Sequence, residues 1–191
     1  MVEARIAPFI NVMFTVTSEW WEQPRNHKGL DISTFANDTI YSMSDGVVVR
    51  SDYSGTATTG YGWVVIIKAS DNMGFLYAHM RDRPLVSVGD SVQVGQAIGI
   101  EGSTGDSTGI HLHLEMQDLT NRDWDYSEIK SLYTDPTVFM GIPNVEGTQC
   151  IYYGTPIPPT PTIIKKSKFP WVLYSRKLRN NNYWQLKTNV L

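Results

Sequence analysis

Ile110-His111-Leu112-His113-Leu114-Glu115-Met116 alternates apolar and polar side chains at every position. A strand sends successive side chains to opposite faces, so the stretch reads as a half-buried strand. Ile110, Leu112, Leu114 and Met116 are expected to point inward, with His111, His113 and Glu115 on the opposite face. The two remaining histidines of the chain lie in His27-Lys28-Gly29-Leu30-Asp31 and in Tyr77-Ala78-His79. By the same alternation His27, Gly29 and Asp31 share a face, and Gly29 leaves that face open between them. Tyr77 and His79 are expected to share a face as well. Histidine is the commonest metal ligand and the commonest acid or base near neutral pH. All four histidines therefore point to one site on a rigid sheet.

The rest of the chain supports the strand reading. Phe9 to Thr17 is apolar and β-branched. Asp45-Gly46, Gly60-Tyr61-Gly62 and Asp71-Asn72-Met73-Gly74 are turn signals. They precede Val47–Val49, Trp63–Lys68 and Phe75–Met80, and Val88-Gly89-Asp90 and Val94-Gly95-Gln96 punctuate two shorter strands that end near Ile100. Many short strands with glycine turns indicate a mainly β fold, an antiparallel sheet or small open barrel. Few short helices are expected, at Tyr126–Leu132 and in a turn after Asp135-Pro136.

The 191 residues suit one domain with an appendage. The composition changes near residue 143, so the expected organisation is a body over 1–145, a Pro-rich linker over 146–162 and an extension over 163–191. The extension contains aromatic stretches flanking Asn180-Asn181-Asn182, the pattern of a β-hairpin. Net charge is uneven. Residues 1–162 hold nine Lys and Arg against nineteen Asp and Glu, whereas 163–191 hold seven basic residues and no acid. A basic extension suits an anionic partner such as a wall polymer, and equally a solvated chain end. The single cysteine, Cys150, excludes an internal disulfide framework and a cysteine-based zinc cluster. No run is long enough to span a bilayer. The N-terminal stretch, with Glu3 early and Pro8 and Asn11 interrupting its apolar residues, does not have the pattern expected of a secretion signal.

Nitrogen and carboxylate donors without thiolate suit zinc, with Zn–N near roughly 2.0–2.1 Å. Three protein ligands leave a fourth tetrahedral position for water, the arrangement of catalytic sites. Four histidines and one aspartate supply three ligands and two spares. Other readings are weaker. The Gly102–Gly109 run lacks the Lys-Ser/Thr of a phosphate cradle and leads into a strand. The glycine hairpin at 88–99 resembles a lipoyl or biotin carrier but has no lysine at its tip. Taken alone, His27 with Asp31 reads equally well as a surface ion pair.

Taken together, Thr17 to Met140 resembles the lysostaphin-type zinc endopeptidases, the family of LytM and related glycyl-glycine and murein endopeptidases. His27-Lys28-Gly29-Leu30-Asp31 matches the family's H-x(3)-D motif. Asp45-Gly46-Val47, Gly60-Tyr61-Gly62, Tyr77-Ala78-His79, the glycine hairpin and His111-Leu112-His113 follow in the family's order. The resemblance implies zinc held by His27, Asp31 and His113, a catalytic pair formed by His79 and His111, and Glu115 orienting a ligand by hydrogen bond. Trp20, Trp21, Arg25, Tyr61 and Tyr77 are candidate walls of a substrate groove. Asn37-Asp38-Thr39-Ile40 and Trp20-Trp21 depart from the family's usual residues, which bears on the groove rather than the metal.

The implied function is a zinc-dependent endopeptidase cutting peptide bonds of bacterial peptidoglycan at the cell wall. The setting would be extracellular or virion-associated, as a phage endolysin or tail component or, equally open, as a secreted bacterial hydrolase. The alternative is a non-catalytic scaffold of the same fold that binds walls or activates another hydrolase. The expected state is a monomer or part of a larger virion assembly, and no motif points to nucleic acid.

Overall fold

The computed structural model describes residues 1–3 and 5–156. The expected hairpin and basic extension over 163–191, and residues 157–162 of the Pro-rich linker, lie outside the described residues. Among the described residues the chain is mainly β, with one short α-helix and one 3-10 turn. In chain order the strands are β1 (Val2–Glu3), β2 (Met13–Ser18), β3 (Leu30–Ser33), β4 (Thr39–Tyr41), β5 (Gly46–Thr56), β6 (Thr59–Ala69), β7 (Met73–Met80), β8 (Ser91–Val92), β9 (Ala97–Ile100), β10 (Leu112–Asp118), β11 (Tyr133–Thr134) and β12 (Gln149–Ile151). The helix α1 is Pro136–Met140.

Ten strands form one open sheet in the order β1-β12-β2-β3-β10-β7-β6-β5-β8, with β11 also pairing β10. All pairings are antiparallel except β1 with β12. β4 and β9 form a separate two-stranded sheet. The stretch that opened the sequence reading is therefore central. β10 lies between β3 and β7, and His113 sits opposite Asp31 on one side and Ala78 on the other.

The sheet is covered on both faces. On one face Leu30, Val65, Ile67, Phe75, Tyr77, Leu112, Leu114 and Met116 join the main core. On the other, Val64, Ile66, Leu76 and Ala78 pack beneath Tyr61 and Trp124. This double burial explains why β6 reads as a continuous apolar run where β10 alternates.

Several expectations are corrected. The first long strand is Met13–Ser18 rather than Phe9–Thr17. Phe9 and Ile10 are buried without strand pairing, because Asn11 takes a left-handed φ of 60° and its side chain bonds Gly154. Tyr126–Leu132 is not a helix beyond the 3-10 turn at Lys130–Leu132. The Ser127 carbonyl, which a helical ladder would pair with the Ser131 N–H, instead accepts the Tyr133 O–H at 2.8 Å. The helix after Asp135-Pro136 does form. Asp135 caps the Thr137 N–H at 2.8 Å, and Gly141 ends it in the left-handed conformation. The sheet also extends past residue 145, because β12 pairs β1 and β2 and buries Cys150. No helix among the described residues is long and apolar enough to cross a membrane.

Candidate metal centre and active site

Asp31 on β3 and His113 on β10 face each other across one register position, with Nδ1 of His113 2.8 Å from Oδ1 of Asp31. His27, four residues before Asp31, brings Nε2 to 3.1 Å from that oxygen and 3.1 Å from His113 Nδ1. Gly29 makes the approach possible. A Cβ there would stand 2.5 Å from Cε1 and 2.6 Å from Nε2 of His113. The two rings are buried, each 8% exposed.

Partners on the far side of each ring decide which nitrogen faces the centre. A carbonyl oxygen only accepts, so the ring nitrogen beside it carries the proton. His27 donates Nδ1–H to the Glu19 carbonyl at 2.8 Å, leaving the Nε2 lone pair inward. His79 donates Nδ1–H to the Thr104 carbonyl at 2.7 Å, and His111 donates Nδ1–H to the Gly109 carbonyl at 2.9 Å. His113 is reversed, donating Nε2–H to Glu115 Oε1 at 2.9 Å and turning Nδ1 inward.

Three electron-rich atoms thus meet within 3.1 Å of one another, a set that repels itself unless a positive charge sits among them. Four tetrahedral ligands at about 2.0–2.1 Å from zinc lie about 3.3 Å apart, close to these spacings. The donor set and its orientation fit zinc. Burial alone would lower the His113 pKa, but hydrogen bonds to Asp31 and Glu115 outweigh it and push it up to about 9. A proton or a metal cation beside Asp31 answers the same demand. Burial would raise Asp31, and the His113 and His27 rings beside it outweigh that and hold the carboxyl well below the usual range.

His79 and His111 stand together beside this cluster, ring centroids 4.8 Å apart. His111 Nε2 is 3.8 Å from Asp31. Burial, reinforced by the charge of His113, lowers His79 to a pKa of about 4, so its ring is neutral near pH 7. An open cavity of about 470 Å³ exposes the five residues, with Arg25, Lys28, Tyr61 and Glu128 among its walls. A second, of about 560 Å³, shares Arg25, Asp31, Thr108 and His111 with the first, so a groove passes the centre on both sides.

Of the proposed groove residues, Arg25 and Tyr61 line the cavity and Trp20, Trp21 and Tyr77 do not. Tyr77 is fully buried, and its hydroxyl accepts the Met43 N–H at 2.9 Å. The expectation that it shares a face with His79 fails for a definite reason. His79 has φ 58°, a left-handed backbone that turns its ring away from the core face Tyr77 occupies. Trp20 and Trp21 pack against each other beneath Lys130, and Trp21 also meets Tyr133. The carbonyls of Glu19, Thr104 and Gly109 escaped sequence reasoning. The Gly102–Gly109 run was the available signal, and it proves to be a loop that carries two of the three to the rings.

Over 91 residues the chain is 41% identical to the murein hydrolase activator NlpD of Escherichia coli, covering 48% of this chain and 23% of NlpD. Over 116 residues it is 34% identical to the DD-carboxypeptidase/endopeptidase Mpg of Neisseria meningitidis, covering 60% of this chain and 25% of Mpg. The chain thus spans about a quarter of the length of these curated relatives. The antimicrobial peptidase lysostaphin from Staphylococcus simulans superposes with a TM-score of 0.56 at 27% identity, over 67% of this chain and 49% of lysostaphin. The model of Peptidase family M23 matches residues 25–125, more than half of the chain and every residue of the centre, and the chain belongs to that family.

Proposed function

We propose that the chain is a zinc-dependent endopeptidase acting on the peptide part of peptidoglycan at the bacterial cell wall. One observation carries the reading: His27 Nε2, Asp31 Oδ1 and His113 Nδ1 converge with inward lone pairs, while His79 and His111 stand beside them with Nε2 free. Zinc bound by the three would polarise a scissile carbonyl and make a water molecule more acidic. The neutral His79 ring can then accept a proton, held in place by its Nδ1–H bond to Thr104. His111, also fixed through Nδ1, can deliver a proton to the leaving amine or bond the developing oxyanion. The groove on both sides of the centre suits an extended chain cut internally rather than at its end.

The test is solubilisation of purified cell walls by purified protein, with and without chelator, and with His113→Ala. Release of peptide fragments that stops on chelation and returns with zinc supports the reading. Equal release by the chelated protein defeats it.

The similarity to NlpD favours a second reading, an activator of another murein hydrolase. Against it, both histidines and the aspartate of the ligand set are present and oriented. Wall release that needs an added amidase or other hydrolase, and survives His113→Ala, would favour the activator.

A further inference from the structure

We propose that Tyr61 is a positioning residue of the metal centre, its phenol locking the Glu115 carboxylate in the orientation that holds His113 with Nε2 protonated and Nδ1 free for a cation. The inference rests on the zinc reading above. Glu115 is fully buried, and its Oε1 accepts two hydrogen bonds, from Tyr61 O–H at 2.8 Å and from His113 Nε2–H at 2.9 Å. Its other oxygen, Oε2, is buried with no partner among the described residues. The His113 bond is the one that needs orienting. Among the described residues Tyr61 is therefore the only hydrogen-bond donor that fixes the carboxylate independently of the ring it serves.

Tyr61 is itself held in place. Gly60 and Gly62 on either side take positive φ values of 74° and 61°, and Gly62 lies against Thr104 so closely that any Cβ would collide. The Lys28 ammonium sits 5.8 Å from the Tyr61 ring centroid, and the Tyr61 ring lies 5.9 Å from that of His113. His113 is thus bounded by Gly29 on one side and by the Tyr61–Glu115 pair on another. Without the phenol the carboxylate is free to rotate, the Nε2–H bond weakens, and the ring is no longer confined to the tautomer that presents Nδ1. Groups that orient a ligand in this way commonly control metal affinity by 10–100-fold.

The experiment is a double-mutant cycle read by zinc affinity, using competition with a chromophoric chelator. Wild type, Tyr61→Phe, Glu115→Leu and the double variant are compared. Tyr61→Phe keeps the ring and its packing and removes only the hydroxyl, and it is expected to weaken zinc binding about 10-fold. In the Glu115→Leu background the same change is expected to cost less than about twofold, because Tyr61 acts through Glu115. Wild-type affinity in Tyr61→Phe, or an equal loss in both backgrounds, overturns the proposal. A wild-type protein that binds no zinc overturns the metal reading and this inference together, whereas zinc-binding wild type with an unaffected Tyr61→Phe overturns only this one. If Tyr61→Phe does not fold, histidine-selective ¹⁵N spectra of the zinc-loaded wild type decide. An Nε2 proton on His113 shifted downfield by a carboxylate supports the proposal, and an Nδ1-protonated His113 ends it.

Discussion

β10 and β7 lie side by side in the sheet and each carries histidine to the centre, yet they do so by opposite means. β10 follows the strand rule. Leu112, Leu114 and Met116 are fully buried on the core side, and His113 and Glu115 face the centre. β7 obeys the rule through Phe75 and Tyr77 and then breaks it at His79, where a left-handed φ of 58° redirects the ring. The core-facing register of β7 would otherwise have placed His79 behind the sheet. A bulky residue rarely adopts that conformation, and where it does the surrounding structure must hold it. Here the Thr104 carbonyl does so, at 2.7 Å from Nδ1. One strand delivers His113 to the centre at no conformational cost, while its neighbour accepts strain to deliver His79.

Breaking the comparison on the β10 side is expected to have the largest effect. His113→Ala or Asp31→Ala should abolish stoichiometric zinc binding and reduce wall solubilisation to the level without enzyme, as read by metal analysis and turbidity. On the β7 side, His79→Ala should lower the turnover rate by about 10²–10⁴-fold. Zinc content should stay at the wild-type level, because His79 makes no contact of the inward triad. A loss of zinc in His79→Ala would dissolve the distinction between the two strands.

Gly29→Ala tests the ligand strand from a third side. The added methyl would meet His113 at 2.5 Å, so the ring must shift. Overpacking of this kind costs about 1–3 kcal/mol, and zinc affinity should fall while secondary structure by circular dichroism is retained. The smallest effect is the sharpest probe of backbone strain. At position 79, Gly should be more stable than Ala by about 1 kcal/mol, because only Gly occupies the left-handed region freely. At position 113, in regular strand, Ala should exceed Gly by about 0.5–1 kcal/mol. Thermal melts of the four metal-free variants check this reversal, and the same order at both positions would remove the strain argument.

The legibility of the molecule follows the same division. The ligand strand could be read directly, because period-two alternation in residues 110–116 states both the secondary structure and the face of each side chain. Ile110 is the exception, half-buried in the loop before β10. The role of Gly29 was visible as an opening on the His27–Asp31 face, although the ring that fills it comes from 84 residues away. Tyr77 was misplaced because alternation was extended one step too far, through a residue whose backbone reverses it. The Tyr126–Leu132 helix failed because the Tyr133 hydroxyl, from beyond the segment, takes the Ser127 carbonyl, an acceptor that a helical ladder would use. Trp20 and Trp21 were assigned to the groove by their position in a motif, but a lysine and a tyrosine from residues 130–133 hold them elsewhere.

The local pattern of the chain alone determined that it forms strands, which face of β10 is polar, and that its histidines are candidates for a single site, since these follow from side-chain alternation and residue type. Tertiary structure decided which nitrogen of each ring points inward, where His79 turns, and that Tyr61 reaches Glu115. Those outcomes depend on backbone carbonyls and on groups brought together from distant positions, and a carbonyl leaves no mark in the order of side chains.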